Sequence, residues 1–132
     1  MSLRESVQGP GPARPLVLIV EDEQFVRMMA VDALEDAGYA TIEAETGDRA
    51  LVLLDQHDDI DLVFTDIRMP GPINGLDLAR RIRRQRPATP VVLTSGHRFE
   101  GDGDIPASTP FLQKPYRAAM LIGALDRLLG RA

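Results

Sequence analysis

Leu16-Val17-Leu18-Ile19-Val20-Glu21-Asp22-Glu23 decides the fold: five apolar residues in a row stop abruptly at three acids. A run without polar alternation suits a strand buried on both faces, which is the habit of parallel sheets. Downstream, Val26, Ala30, Leu34 and Ala37 recur at helical spacing, and Gly38 is placed to end that helix. The alternation then repeats. Tyr39 to Ala44 reads as a second strand, and Thr46 can cap a helix over Ala50, Leu51 and Leu54. Asp61 to Thr65 is a third strand ending at Asp66, and a loop with Pro70, Gly71, Pro72 and Gly75 leads into a helix carrying Leu78, Ala79 and Ile82. Pro87 and Pro90 close that helix, Val91 to Thr94 is a fourth strand, and Phe111-Leu112-Gln113 a short fifth. A last helix starts near Pro115, with Leu121, Leu125, Leu128 and Leu129 on one face.

Strands alternating with helices predict an α/β domain: a five-stranded parallel sheet, doubly wound, with helices on both faces. The segment Gly96 to Pro110 carries three glycines and two prolines but no helical stripe, so a fourth helix is expected to be reduced or absent there. Met1 to Arg14 is rich in Gly, Pro and charge and reads as a disordered lead-in or linker, which leaves residues 15–130 for one domain.

Composition narrows the function. The 132 residues hold 15 basic and 20 acidic side chains, a net charge of −5, which argues against a nucleic-acid scaffold. With no cysteine, disulfides, zinc–thiolate sites and thiol nucleophiles are excluded. No apolar run approaches the ~20 residues of a membrane span, and the first residues lack the apolar core of a secretory signal; a cytoplasmic location is expected. The basic residues are nearly all arginine, and Lys114 is the only lysine.

In open parallel sheets ligands bind beyond the carboxyl ends of the strands. Those ends here carry Glu21 and Asp22, Asp66, Thr94 and Ser95, and Lys114. Two carboxylates ~5 Å apart repel by about 3 kcal/mol at an effective dielectric of ~20, so the cluster calls for a cation. Oxygen ligands without His or Cys point to Mg²⁺ or Mn²⁺. A divalent cation beside a lysine suits a phosphoryl group. No glycine-rich loop follows the first strand, so the phosphate is expected on a protein carboxylate as an aspartyl phosphate.

From about Leu16 to Leu129 the chain resembles the receiver domain of two-component response regulators. The matching pieces are Val20-Glu21-Asp22, Asp66-Ile67-Arg68-Met69-Pro70 with Gly75 following, Pro90 to Gly96, and Phe111-Leu112-Gln113-Lys114-Pro115. The resemblance implies a flavodoxin-like strand order of 2-1-3-4-5 and Asp66 as phosphoacceptor from the phosphohistidine of a kinase or phosphotransfer protein. It implies Mg²⁺ held by Asp22, Asp66 and the backbone carbonyl of Arg68, with Glu21 acting through water. Ser95 is the expected switch hydroxyl, ahead of Thr94, and Phe111 the switch aromatic. Lys114 is expected to pair with the phosphate, ahead of a cis bond to Pro115. Arg68 and His97 fall at the two positions that tune phosphoryl lifetime in the family. Such a domain is a phosphorelay switch and not an enzyme with its own substrate, either alone or as part of a hybrid histidine kinase.

Two features depart from the pattern. The loop Gly71-Pro72-Ile73-Asn74-Gly75 is one residue longer than usual, and the short Gly96–Pro110 segment puts the family's common dimer surface in doubt, so a monomer or weak homodimer is expected. Arg80, Arg81, Arg83, Arg84 and Arg86 read as the solvated face of their helix, without direct nucleic-acid contact, and His57 as a surface residue. Competing readings are an Mg²⁺-dependent phosphatase with an aspartyl nucleophile, and a receiver-like protein-binding module that is not phosphorylated.

Overall fold

The computed structural model describes residues 14–96 and 108–131. Strands β1 (Leu16–Val20), β2 (Ala40–Ala44), β3 (Ile60–Asp66), β4 (Val91–Ser95) and β5 (Phe111–Gln113) alternate with helices α1 (Gln24–Asp36), α2 (Gly47–Gln56), α3 (Gly75–Gln85) and, after β5, α4 (Ala118–Leu128). All strand pairs are parallel, in the order β2-β1-β3-β4-β5. The doubly wound, flavodoxin-like expectation therefore holds, with four helices among the described residues. The linker reading of Met1–Arg14, all but its last residue, and most of the Gly96–Pro110 segment lie outside them.

The sheet buries both faces. On one side Val17, Ile19, Leu62, Phe64 and Val92 pack against Ala30 and Leu34 of α1 and Leu121 and Leu125 of α4. On the other, Leu18, Val20 and Val63 meet Ala50, Leu53 and Leu54 of α2 and Leu78 and Ile82 of α3. The uninterrupted apolar character of β1 thus has its cause: alternate side chains enter opposite layers, and neither layer is wet. Gly38 ends α1 at φ +93°, a left-handed conformation that glycine adopts without steric cost. Thr46 caps α2 by accepting from the Arg49 amide at 3.1 Å.

Three readings need correction. Leu128 is not on the inward face of α4; it is 38 % exposed, unlike buried Leu121, Ala124 and Leu125, whereas Leu129 packs against the core. The last helix begins at Ala118, after Arg117, and not near Pro115. Arg86 is not part of a solvated face. Its guanidinium donates to the carbonyls of Leu54 (2.9 Å), His57 (3.1 Å), Asp58 (3.1 Å) and Ile60 (3.2 Å). It closes the open end of α2 and ties that helix to the start of β3.

Candidate functional site

Strand order places β1 at the reversal between β2 and β3, where a crevice opens beyond the strand ends. Glu21 and Asp22 leave β1 there, Asp66 closes β3, and Lys114 follows β5. Chain direction and register alone bring these groups together from stretches 44 to 93 residues apart in sequence.

One carboxylate oxygen from each of Glu21, Asp22 and Asp66 lies within 4.8 Å of the others. At that separation a pair of charges repels by about 3 kcal/mol at an effective dielectric of ~20. Lys114 relieves part of it. Its ammonium donates to Glu21 Oε1 at 2.8 Å and to Asp66 Oδ2 at 2.7 Å. Glu21 and Asp66 are 4 % and 6 % exposed, whereas Asp22 faces solvent. Burial, the largest influence on Glu21, raises its pKa above the usual carboxylate value, against the hydrogen bonds from Lys114 and the Glu23 amide. For Lys114 burial, again the largest single influence, lowers the pKa; the hydrogen bonds and charges of Asp66 and Glu21 outweigh it and push the ammonium up to about 12. Three carboxylates facing one ammonium leave the site with two uncompensated negative charges, the balance a divalent cation supplies at an oxygen cluster.

Local structure fixes each group. The Asp66 carboxylate accepts from the Arg68 amide at 3.1 Å, and the Ile67 amide bonds to the Thr94 carbonyl at 2.9 Å. Gly75 is pressed against this turn: a Cβ there would lie 2.1 Å from the Asp66 carbonyl oxygen. The Lys114 amide bonds to the Ser95 carbonyl at 2.9 Å, and the Lys114–Pro115 bond is cis, as the resemblance implied. Ser95 is fully buried at the end of β4. Thr94, the lesser candidate, commits its hydroxyl to the Leu112 carbonyl at 2.7 Å. Phe111 is half-buried and packs beside Leu93. His97 lies outside the described residues.

Sequence reasoning missed Arg27. It is nearly buried, donates to the Glu21 carbonyl at 2.8 Å and to Glu43 Oε1 at 2.9 Å, and so pins the chain where it turns out of β1. The available signal was an arginine at the same helical spacing as Ala30 and Leu34, inside an otherwise apolar stripe. Beside the acidic crevice a cavity of about 580 Å³ opens between α1 and the start of α4, lined by Phe25, Met29, Gly96, Lys114, Tyr116 and Leu121 among others.

Residues 17–126 match the family model described as the response regulator receiver domain. The chain belongs to that family. A receiver is a signalling domain of two-component systems, where it serves phosphorelay signalling with histidine kinases or phosphotransfer proteins. The response regulator receiver protein CpdR of Brucella abortus is 31 % identical over 116 residues, covering 86 % of this chain and 95 % of CpdR. The sensor kinase CckA of the same organism is 33 % identical over 117 residues, covering 86 % of this chain and 12 % of the kinase. A response regulator receiver protein from Sinorhizobium medicae superposes with a TM-score of 0.83 at 32 % identity, covering 89 % of this chain and 95 % of that one. The response regulator TrrA of Thermotoga maritima, solved in complex with Mg(2+)-BeF, gives 0.80 at 29 % identity over 86 % of this chain and 98 % of its own. Against several curated relatives, CckA among them, the receiver spans half or less of the partner's length. The acidic trio can bind a metal ion, and among the described residues no helix is long and apolar enough to cross a membrane.

Proposed function

We propose that Asp66 is the phosphoacceptor. A carboxylate oxygen of Asp66 attacks the phosphorus of a partner's phosphohistidine; the new P–O bond forms as the P–N bond breaks, and the imidazole nitrogen leaves and takes up a proton. The observation that carries this reading is the Lys114 ammonium, held 2.7 Å from Asp66 Oδ2 and thus able to stay with a phosphoryl group placed on that carboxylate. Mg²⁺, or Mn²⁺ in its place, supplies neutralisation of phosphoryl charge when bound to Asp22, Asp66 and the Arg68 carbonyl, with Glu21 reached through water. The oxygen-only donor set and its excess of negative charge fit such an ion.

Phosphorylation adds ~1.5 to 2 negative charges at one point. Ser95, and less directly Thr94, answers it with a hydroxyl, and Phe111 follows the hydroxyl, so the surface over β4 and β5 repacks. Arg68 and His97 tune how long the phosphoryl group lasts, and the domain itself catalyses both its uptake and its loss. The partner is a histidine kinase or phosphotransfer protein that seats its helices against the cavity beside Lys114, where exposed Phe25 and Met29 offer apolar area. Residues 15–130 form the receiver, a monomer or weak homodimer in the cytoplasm, without nucleic acid or membrane as partner.

Incubation with Mg²⁺ and acetyl phosphate tests the reading by intact mass. One added phosphate is expected, none with Asp66→Asn, and none without the metal. Millimolar Mg²⁺ raises the melting temperature because the cation binds only the folded trio. Equal labelling of Asp66→Asn overturns the assignment; steady release of phosphate from small esters favours a phosphatase, and no uptake at all favours a non-phosphorylated binding module.

A further inference from the structure

We infer that the outer face of α3 is a docking surface for an acidic segment of a partner protein. The helix carries Asp77 and Arg80, Arg81, Arg83 and Arg84, a net charge of +3 in 11 residues of a chain whose total is −5. Arg80 pairs with Asp77 at 3.4 Å. Arg81, Arg83 and Arg84 are exposed and have no ion-pair partner among the described residues, although Asp55 and Asp58 of the α2 side line the neighbouring cavity with Arg81. Guanidinium forks left open in this way match carboxylates two bonds at a time.

The same face has a shallow, mostly polar groove in which Pro72 and Ile73 are the apolar part. A cavity of about 280 Å³ is lined by Pro72, Ile73, Asp77, Arg80, Arg81 and Arg84. Its floor is held rigidly. The Ile73 carbonyl lies where a Cβ on Gly47 would come within 2.6 Å, so α2 rests directly on it. Asn74 and Asp77 form a reciprocal cap, Asn74 Oδ1 accepting from the Asp77 amide at 2.9 Å and Asp77 Oδ2 from the Asn74 amide at 3.2 Å. A preformed groove of this kind loses little freedom on binding. An apolar side chain flanked by acids fits it: the apolar group over Pro72 and Ile73, the carboxylates on Arg81 and Arg84.

Protein, not nucleic acid, is the favoured occupant. Because α3 holds +3 in a chain whose total is −5, the rest of the molecule is acidic and offers a long phosphate backbone no basic track beyond this one helix. A short acidic segment meets only the local positive field.

Fluorescence anisotropy of the whole chain with a labelled peptide of glutamate, aspartate and leucine tests this. Binding is expected to weaken as salt rises, to vanish when the acids become amides, and to fall about fivefold or more for Arg81→Gln/Arg84→Gln. Arg49→Gln/Arg127→Gln removes the same charge from α2 and α4, and binding should stay within about twofold of the parent. Unchanged binding by the α3 variant, an equal loss in the control pair, or tighter binding of random-sequence duplex DNA than of the peptide overturns the proposal. Self-association in sedimentation that disappears in Arg81→Gln/Arg84→Gln also overturns it, because the occupant is then a second copy of this chain.

Discussion

Gly75→Ala should be among the most damaging one-carbon changes in this protein. The added Cβ would sit 2.1 Å from the Asp66 carbonyl oxygen, 2.7 Å from Ile67 Cα and 2.8 Å from the Asp66 carbonyl carbon. Ordinary carbon–oxygen contact needs more than a further ångström. Every obstacle is backbone, so no side chain can rotate away. Neither wall yields easily: the end of β3 is held between β1 and β4, and α3 is anchored by its Asn74–Asp77 cap and by the Gly75 amide on the Ile67 carbonyl at 2.8 Å. Overpacking of this kind costs about 3 kcal/mol, the upper end of the usual range, or a fall of about 10 °C in Tm for a domain of this size. Urea and thermal unfolding by circular dichroism measure it. Gly123→Ala is the internal control, because its Cβ meets only the tip of Arg127 at 3.6 Å and α4 should gain about 1 kcal/mol from the better helix former. Phosphate uptake by Gly75→Ala, measured well below its Tm, should also fall, since the carbonyl that must give way belongs to Asp66 itself. A Gly75→Ala chain within about 0.5 kcal/mol of the parent, or a Gly123→Ala chain destabilised as much, would refute the reasoning.

Lys114→Met should destabilise the fold by about 2 kcal/mol near neutral pH, because two nearly buried carboxylates lose their shared cation. The loss should shrink in acid, since the raised pKa of Glu21 lets the folded state take up a proton before the unfolded chain does. On the alkaline side the Lys114 contribution of the parent chain is still complete just below its unfolded pKa of about 10.5 and disappears as pH rises through about 12. A difference between the two chains that is flat across urea titrations at acid, neutral and alkaline pH would contradict this. Arg86→Met should cost about 3 kcal/mol through four orphaned carbonyls, and Arg86→Lys should recover less than half; a loss below about 1 kcal/mol would count against the strut. Tyr39 and Tyr116, the only tyrosines, are both pushed up to about 12, first by burial and for Tyr39 also by its bond to Asp126. Ultraviolet titration of the folded chain should therefore show only ~1 % tyrosinate at pH 10, where a free phenol is about half ionised; half-ionisation of either ring at that pH would be the contrary result.

β1, β3 and β4 were legible because each holds a short apolar run followed by a polar stop; Val20-Glu21 and Thr65-Asp66 mark strand ends by a change of chemistry visible within two residues. Strand ends in a parallel sheet share one rim, so Glu21, Asp22, Asp66 and Lys114 could be gathered without coordinates. What stayed hidden depends on contacts with no local signature. Arg86 looks like its arginine neighbours until α2 is folded beside it, and its partners lie 26 to 32 residues away. Tyr39 and Asp126 are 87 residues apart. Leu128 is exposed although Leu129 beside it packs on the core, and periodicity does not report which edge of an apolar stripe a neighbour covers.

The solitary ε-amine makes this domain its own chemical reporter. At pH 8 an ammonium with a pKa of about 12 presents free amine in only ~10⁻⁴ of molecules, about thirtyfold less than an unperturbed lysine. Acylating reagents will therefore spare position 114 while the crevice is intact and modify it when the pocket opens. The rate of that single modification, followed by mass, counts excursions of the signalling site without any engineered label.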